Sequence, residues 1–358
     1  MNYRLNKFFS RKLYESDTTE VIDINIQDVI SNIVIFYETL AGGGNMLAHP
    51  AAGIEKIELV DGSDVLFSLD GYEAEALNWY ESGGEFPANW NCSINGQLVS
   101  RAININFGRY LWDRELAFDP KQFNNPQLRI TLDVGAMGMT SVKSYLTCFA
   151  NLFDEQPAGL KGFLMTKEFK QWTMGANVHE YTDLPVDYNY RALYHRAFLA
   201  GTESHQCVAN IKLSEDQDKR IPYDCSSEEL IRYAGYKYPL VKESFIFGCN
   251  VGQLYLYVAP TTMVTSYAAP WAAAAITRDI TLYDGDGGRL KVIGLTNPGN
   301  AQITSEGRVP HAVFEIPFGL KNEINDWYDV RGFDNLRADI KGGAAAQGYL
   351  FGQQYRPY

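Results

Sequence analysis

The chain has 358 residues, 46% of them hydrophobic, 21% charged and 13% aromatic, with a formal net charge of −12. That length suits two domains better than one core, and that acidity disfavours direct contact with a nucleic-acid backbone. Five cysteines without a CxxC pair exclude the common zinc spacings and read as reduced, buried thiols.

From the N-terminus, Arg4, Lys7, Arg11 and Lys12 precede the first acid, Glu15, and Leu5, Phe8, Phe9 and Leu13 recur at helical spacing. This predicts an amphipathic arm over 1–20, facing anionic lipid or a neighbouring subunit. Its short apolar stripe suggests a role in assembly, not in the core. No apolar h-region follows the basic residues, so no signal peptide is expected.

Beyond the arm the dominant period is two. Segments 32–37, 54–59, 103–107, 128–134, 145–152, 254–258, 280–283, 313–316 and 349–353 read as strands. Gly42-Gly-Gly44, Asp61-Gly62, Gly83-Gly84, Asp284-Gly285 and Gly342-Gly343 read as the turns between them. Helices are predicted at 72–80 and 226–233, the latter opening on the capping pattern Ser226-Ser-Glu-Glu229. A third is predicted at 161–174. The stretch from Ser244 to Thr277 carries no charge but is broken by Gly248, Gly252, Pro260 and Pro270, too short an apolar run to cross a bilayer.

The chain repeats itself. Ile57-Glu-Leu59 returns as Ile211-Lys-Leu213, about 154 positions on; Ile103-Asn-Ile105-Asn-Phe107-Gly108 returns as Phe314-Glu-Ile316-Pro-Phe318-Gly319; Leu128-Arg129 returns as Leu336-Arg337. Shared order argues for two copies of one domain: 21–155, then a connector over 156–187, then 188–358 with an insertion around 240–300. Eight strands per copy in two packed sheets would make each an all-β jelly roll. In the uncharged insertion, Tyr255, Tyr257, Tyr267 and Trp271 are the candidate subunit contacts, since such aromatics anchor interfaces.

Two tandem jelly rolls with an insertion and an N-terminal arm resemble the double jelly-roll major capsid proteins of tailless icosahedral, membrane-containing viruses (tectivirus, corticovirus and finnlakevirus types). The resemblance rests on the paired Ile-x-Leu, Phe-Gly and Leu-Arg segments just quoted. It implies a structural protein with no catalytic residues and no cofactor. It further implies pseudo-hexameric homotrimers tiling a virion shell assembled in the host cytoplasm. The implied partners are other copies of the chain, penton and minor capsid proteins, and inner-membrane lipid.

Residue chemistry offers little against this. His49, His179, His195, His205 and His311 are scattered without an H-x-H, so no metal site is expected. Asp284-Gly-Asp286-Gly-Gly288 reads as a turn, because Leu295 stands where a calcium loop would need glutamate. Ala41-Gly-Gly-Gly44 lacks the lysine of a phosphate loop. Asp61, Asp64, Asp70, Glu73 and Glu75 read as a solvated acidic face, though paired carboxylates keep a glycan-active alternative open. That alternative is a secreted two-jelly-roll amidase or a carbohydrate-binding protein. An enzyme would show a cleft with converging carboxylates; a coat subunit would show lateral faces built for self-association.

Overall fold

Alternation sets the strands. In Ile30–Leu40, Ile33, Ile35 and Tyr37 are buried, while Val34, Phe36 and Glu38 between them stay half-exposed, as in a strand with one face on a core. The computed structural model describes residues 3–40, 45–87, 89–138, 143–270, 280–295 and 299–358. The glycine turn at 41–44 and Trp271 lie outside the described residues.

Eight strands form the first half: β1 (Tyr3–Tyr14), β2 (Thr18–Asp23), β3 (Ile30–Leu40), β4 (Ile54–Asp61), β5 (Asp64–Leu69), β6 (Leu98–Asn106), β7 (Pro126–Leu132) and β8 (Ser144–Phe153). They pair in the orders β1-β8-β3-β6 and β2-β7-β4-β5, the interleaving of a jelly roll. Helix α1 (Gly71–Glu81) lies between β5 and β6.

The second half repeats this pattern. It contains β9 (Gly162–Thr173), β10 (His179–Leu184), β11 (Tyr190–Phe198), α2 (Ser204–Cys207), β12 (Val208–Glu215), β13 (Arg220–Ser226) and α3 (Ser227–Lys237). An insertion follows: β14 (Val241–Gly248), β15 (Gly252–Tyr257), β16 (Pro260–Pro270), β17 (Ile280–Asp284), β18 (Arg289–Gly294) and β19 (Asn300–Pro310). β20 (Val313–Pro317), β21 (Leu336–Gly342) and β22 (Gln347–Pro357) close the half, in the orders β9-β22-β11-β20 and β10-β21-β12-β13. The protein is therefore all-β, two tandem eight-stranded jelly rolls with a few short helices.

The two halves share one sheet. β5 pairs with β9 in parallel, Phe67 opposite Thr166 and Ser68 opposite Lys167, which joins β2-β7-β4-β5 to β9-β22-β11-β20. The outer face of the second half's sheet is covered by the first half. Ala192, Tyr194, Val313 and Phe351 belong to the same buried cluster as Ala74, Leu77, Trp79 and Tyr80 of α1. The Tyr80 hydroxyl donates to the Val313 carbonyl at 2.8 Å. The insertion folds as two three-stranded sheets, β14-β19-β16 and β15-β18-β17. Its core of Phe245, Phe247, Leu256, Val292 and Ile303 also takes in Met46, Val99 and Met137 of the first half.

Three expectations change. The N-terminal segment is not a helical arm: β1 pairs with β8 from Tyr3 to Tyr14 as an edge strand of the first jelly roll. Bulges between Lys7 and Phe9 and between Phe9 and Lys12 break its alternation, which is why its apolar residues fall at helix-like spacing. The helix expected at 161–174 is β9, because pairing with β22 along its whole length outweighs local propensity. The connector read over 156–187 consequently contains two strands of the second jelly roll, β9 and β10. Helices α1 and α3 do form where predicted, each opened by a capping box, Asp70 with Glu73 and Ser226 with Glu229.

Candidate functional site

The features with functional bearing are the junction between the halves and the surfaces equivalent to it that stay uncovered. The junction carries a buried charge cluster. His49 caps the turn Pro50–Gly53, Glu75 lies on α1, Arg101 on β6, Glu243 on β14, and His311 between β19 and β20. All five are buried. Arg101 Nη1 donates to Glu243 Oε1 at 2.9 Å, and its Nε lies 3.6 Å from Glu75. His49 accepts from the Ala51 amide at Nδ1 (3.1 Å), so Nε2 carries the proton and donates to Glu243 at 3.1 Å. His311 Nε2 contacts Glu75 at 2.9 Å.

Burial pushes His49 down to about 4, against the raising effect of Glu243 and with the help of Arg101. Burial would raise both glutamates, but Arg101 and the histidines outweigh it, and Glu75 and Glu243 stay ionised below the usual carboxylate range. His49, Glu75 and His311 bring ligand atoms within 4.8 Å of one another, a set that could hold a metal. Arg101, 3.0 Å from His49 Nε2, already supplies the positive charge there, so the chemistry is that of an ion-pair lock. The turn bearing His311 is strained: Val309, His311 and Ala312 all have positive φ (59°, 48° and 62°). Hydrogen bonds from Arg196 Nε to the His311 carbonyl and from the His311 amide to Ala259 hold it.

Further pairs span the junction. Arg191 donates to Glu81 at 3.0 Å and to Gln353 at 2.6 Å. Arg196 donates to Asp70 at 2.7 Å and lies against the rings of Tyr72 and Tyr349. The last three line a cavity of about 510 Å³ with Lys56 and Glu168, themselves paired at 2.9 Å. Asp70 and Glu168 each hold a cation, so they do not converge as a catalytic pair would. The acids read as a solvated face are corrected here: Glu73 and Glu75 are buried, Glu73 closing the capping box and Glu75 held by Arg101.

The residues singled out in the sequence are placed as follows. On β1, Arg4 pairs with Asp28 and Asp154, Arg11 with Glu38 at 2.6 Å, and Lys12 with Glu20 at 2.7 Å. Phe8 and Phe9 pack on the first core. Lys7 is exposed and has no ion pair among the described residues. Tyr255 and Tyr257 are half-buried on β15, and Tyr267 on β16 is exposed. The sequence does not reveal that His49 and His311 meet; the signal needed is long-range pairing. No helix among the described residues is long and apolar enough to cross a membrane.

No family model matches the chain. No curated protein matches it either. Solved structures do. The major capsid protein of STIV is 10% identical, with a TM-score of 0.62 over 99% of this chain and 97% of that one. The major capsid protein P2 of bacteriophage PM2 is 10% identical, with a TM-score of 0.57 over 99% and 98%. A chain of the PBCV-1 virus capsid is 10% identical, with a TM-score of 0.54 over 99% and 94%. At such identities the likeness is one of fold, and it extends over both jelly rolls and the insertion.

Proposed function

We propose that the chain is the major coat subunit of an icosahedral virion, a structural protein without catalytic activity. In this reading it forms homotrimers of hexagonal outline that tile the shell. The observation that carries it is the fusion of two equivalent jelly rolls through one continuous sheet, which leaves the same kinds of edge and face free on either side. Near-complete length agreement with solved capsid proteins supports it, as does a cavity at the junction in which Asp70 and Glu168 are each paired with a cation. The resemblance adds penton and minor capsid proteins as partners, an internal lipid membrane beneath the shell, and assembly in the host cytoplasm. Three of the four cations of β1 are held by carboxylates of their own half, which favours a neighbouring subunit over lipid as what β1 meets. Electron microscopy of the purified protein tests the reading: three-chain particles of hexagonal outline are expected, and uniformly single-chain particles would refute it.

A further inference from the structure

The junction inside the chain exists once, yet the surfaces that make it exist twice. Strand pairing fixes which residues correspond. Leu59 faces Phe67 as Leu213 faces Tyr223, and Ile57 faces Leu69 as Ile211 faces Cys225. Phe67 and Ser68 therefore correspond to Tyr223 and Asp224. On the other side, β1 and β9 carry the same bulge, between Lys7 and Phe9 against β8 and between Glu168 and Lys170 against β22. Phe8 thus corresponds to Phe169, and Leu5 and Asn6 to Thr166 and Lys167. Counting from the N-caps Asp70 and Ser226, Leu77 and Tyr80 correspond to Tyr233 and Tyr236.

In the chain, one member of each pair is covered and its counterpart is not. Tyr80 is 4% exposed against the second half; Tyr236 is 91% exposed and Tyr233 53%. The face that receives Tyr80 includes Tyr194 and Phe351, and their counterparts, Val34 and Phe149, pair in the same register and remain half-exposed beside Phe36. β5 and β9 are joined, whereas among the described residues β13 and β1 are both free edges, carrying Ile221 at 45% and Leu5 at 62% exposure. Unpaired edges and apolar faces of this kind call for a partner.

We infer that the partner is a second copy of this chain, docked so that β13 of one copy runs parallel to β1 of the next. Tyr223 then lies opposite Leu5 and Asp224 opposite Asn6, while Tyr233 and Tyr236 of α3 cover Val34, Phe36 and Phe149. The inference rests on the trimer reading and specifies its interface. Charge agrees with it. Inside the chain Glu168 meets Lys56. Between copies, Lys7 stands in the place of Glu168, and Asn210, the counterpart of Lys56, holds Asp224 at 2.7 Å. The Lys56–Glu168 ion pair itself is not repeated, because Asn210 is neutral, but the contact sets Lys7 beside the carboxylate of Asp224 that Asn210 holds. The contact is head-to-tail, so each copy offers β13 to one neighbour and β1 to the other.

Disulfide trapping in the full-length chain tests this, with Cys225→Ser as background. Asn6→Cys combined with Asp224→Cys should link chains covalently under mild oxidation, as dimers and trimers on denaturing gels, and neither single variant should. Ser68→Cys with Lys167→Cys should close within one chain, which calibrates the reaction on the pair already in contact. Tyr236→Glu, at an exposed position that the fold does not need, should weaken self-association by roughly tenfold or more. Native trimers that close the internal control but give no links between chains, or that ignore Tyr236→Glu, would overturn the interface and leave the trimer standing. A chain that is monomeric throughout would overturn both.

Discussion

His49 and His311 come from opposite halves of the chain, and their ring centroids lie 4.6 Å apart, each ring contacting a different buried glutamate. With Arg101 beside them, they tie the turn Pro50–Gly53 before β4 to the strained turn before β20. The lock joins the first jelly roll to both the insertion and the second jelly roll.

Acid should loosen it. His49 and His195 are both held down to about 4, in each case chiefly by burial, from a value of 6.5. As pH falls the unfolded chain takes up these protons first, so the stability present above pH 6.5 is lost between there and 4. Each histidine costs about 2 kcal/mol by pH 5. Glu243 and Glu75, held low, add to the loss further down. Glu73, raised by burial and by Asp70, works in the opposite sense and softens it. Denaturant unfolding at pH 7, 6 and 5 should show the decline; a flat profile would contradict this protonation assignment.

Replacing Arg101 with Met should be severe. Glu75 and Glu243 would remain buried without their cation, a loss of about 3–5 kcal/mol. Arg101→Met combined with Glu243→Gln should be less damaging than Arg101→Met alone. Chemical unfolding of the two variants measures the difference.

Deleting residues 1–14 should lower the melting temperature, contrary to what the sequence suggests of a dispensable arm. The deletion strips β8 of its edge neighbour and removes Phe8, Phe9 and buried Tyr14. At about 1.5–3 kcal/mol per large apolar side chain, several kcal/mol are at stake. An unchanged melting curve would show that β1 contributes little to the core.

The two equivalent helices should answer oppositely to alanine. A Cβ on Gly71 would meet the Ala51 carbonyl oxygen at 2.2 Å; that backbone cannot yield cheaply, so Gly71→Ala should destabilise by about 1–3 kcal/mol despite better helix propensity. A Cβ on Gly235 would meet the guanidinium of Arg308, at 3.2 Å, a side-chain end that need shift only a few tenths of an ångström while keeping its long bonds to the Tyr238 and Pro239 carbonyls, so Gly235→Ala should stabilise by about 0.5–1 kcal/mol. Thermal melts of the two variants decide the signs.

What was legible in the sequence followed from local pattern. Alternation gave the strands, the echo of Ile57-Glu-Leu59 in Ile211-Lys-Leu213 gave the duplication, and Ser226 with Glu229 gave the start of α3. Bulges hid β1, because one extra residue at Phe8 turns a strand's spacing into a helix's. The charge cluster was illegible because Arg101 meets Glu243 across 142 positions, and no local spacing encodes such a pair. Glu75 looked solvated because acids usually are; its burial depends on the second half closing over α1.

The mass of the native assembly tests the central claim most directly. Native mass spectrometry of the full chain at micromolar concentration should give a species of three chains, each of 40.3 kDa. A stable monomer under the same conditions would contradict the coat-subunit account.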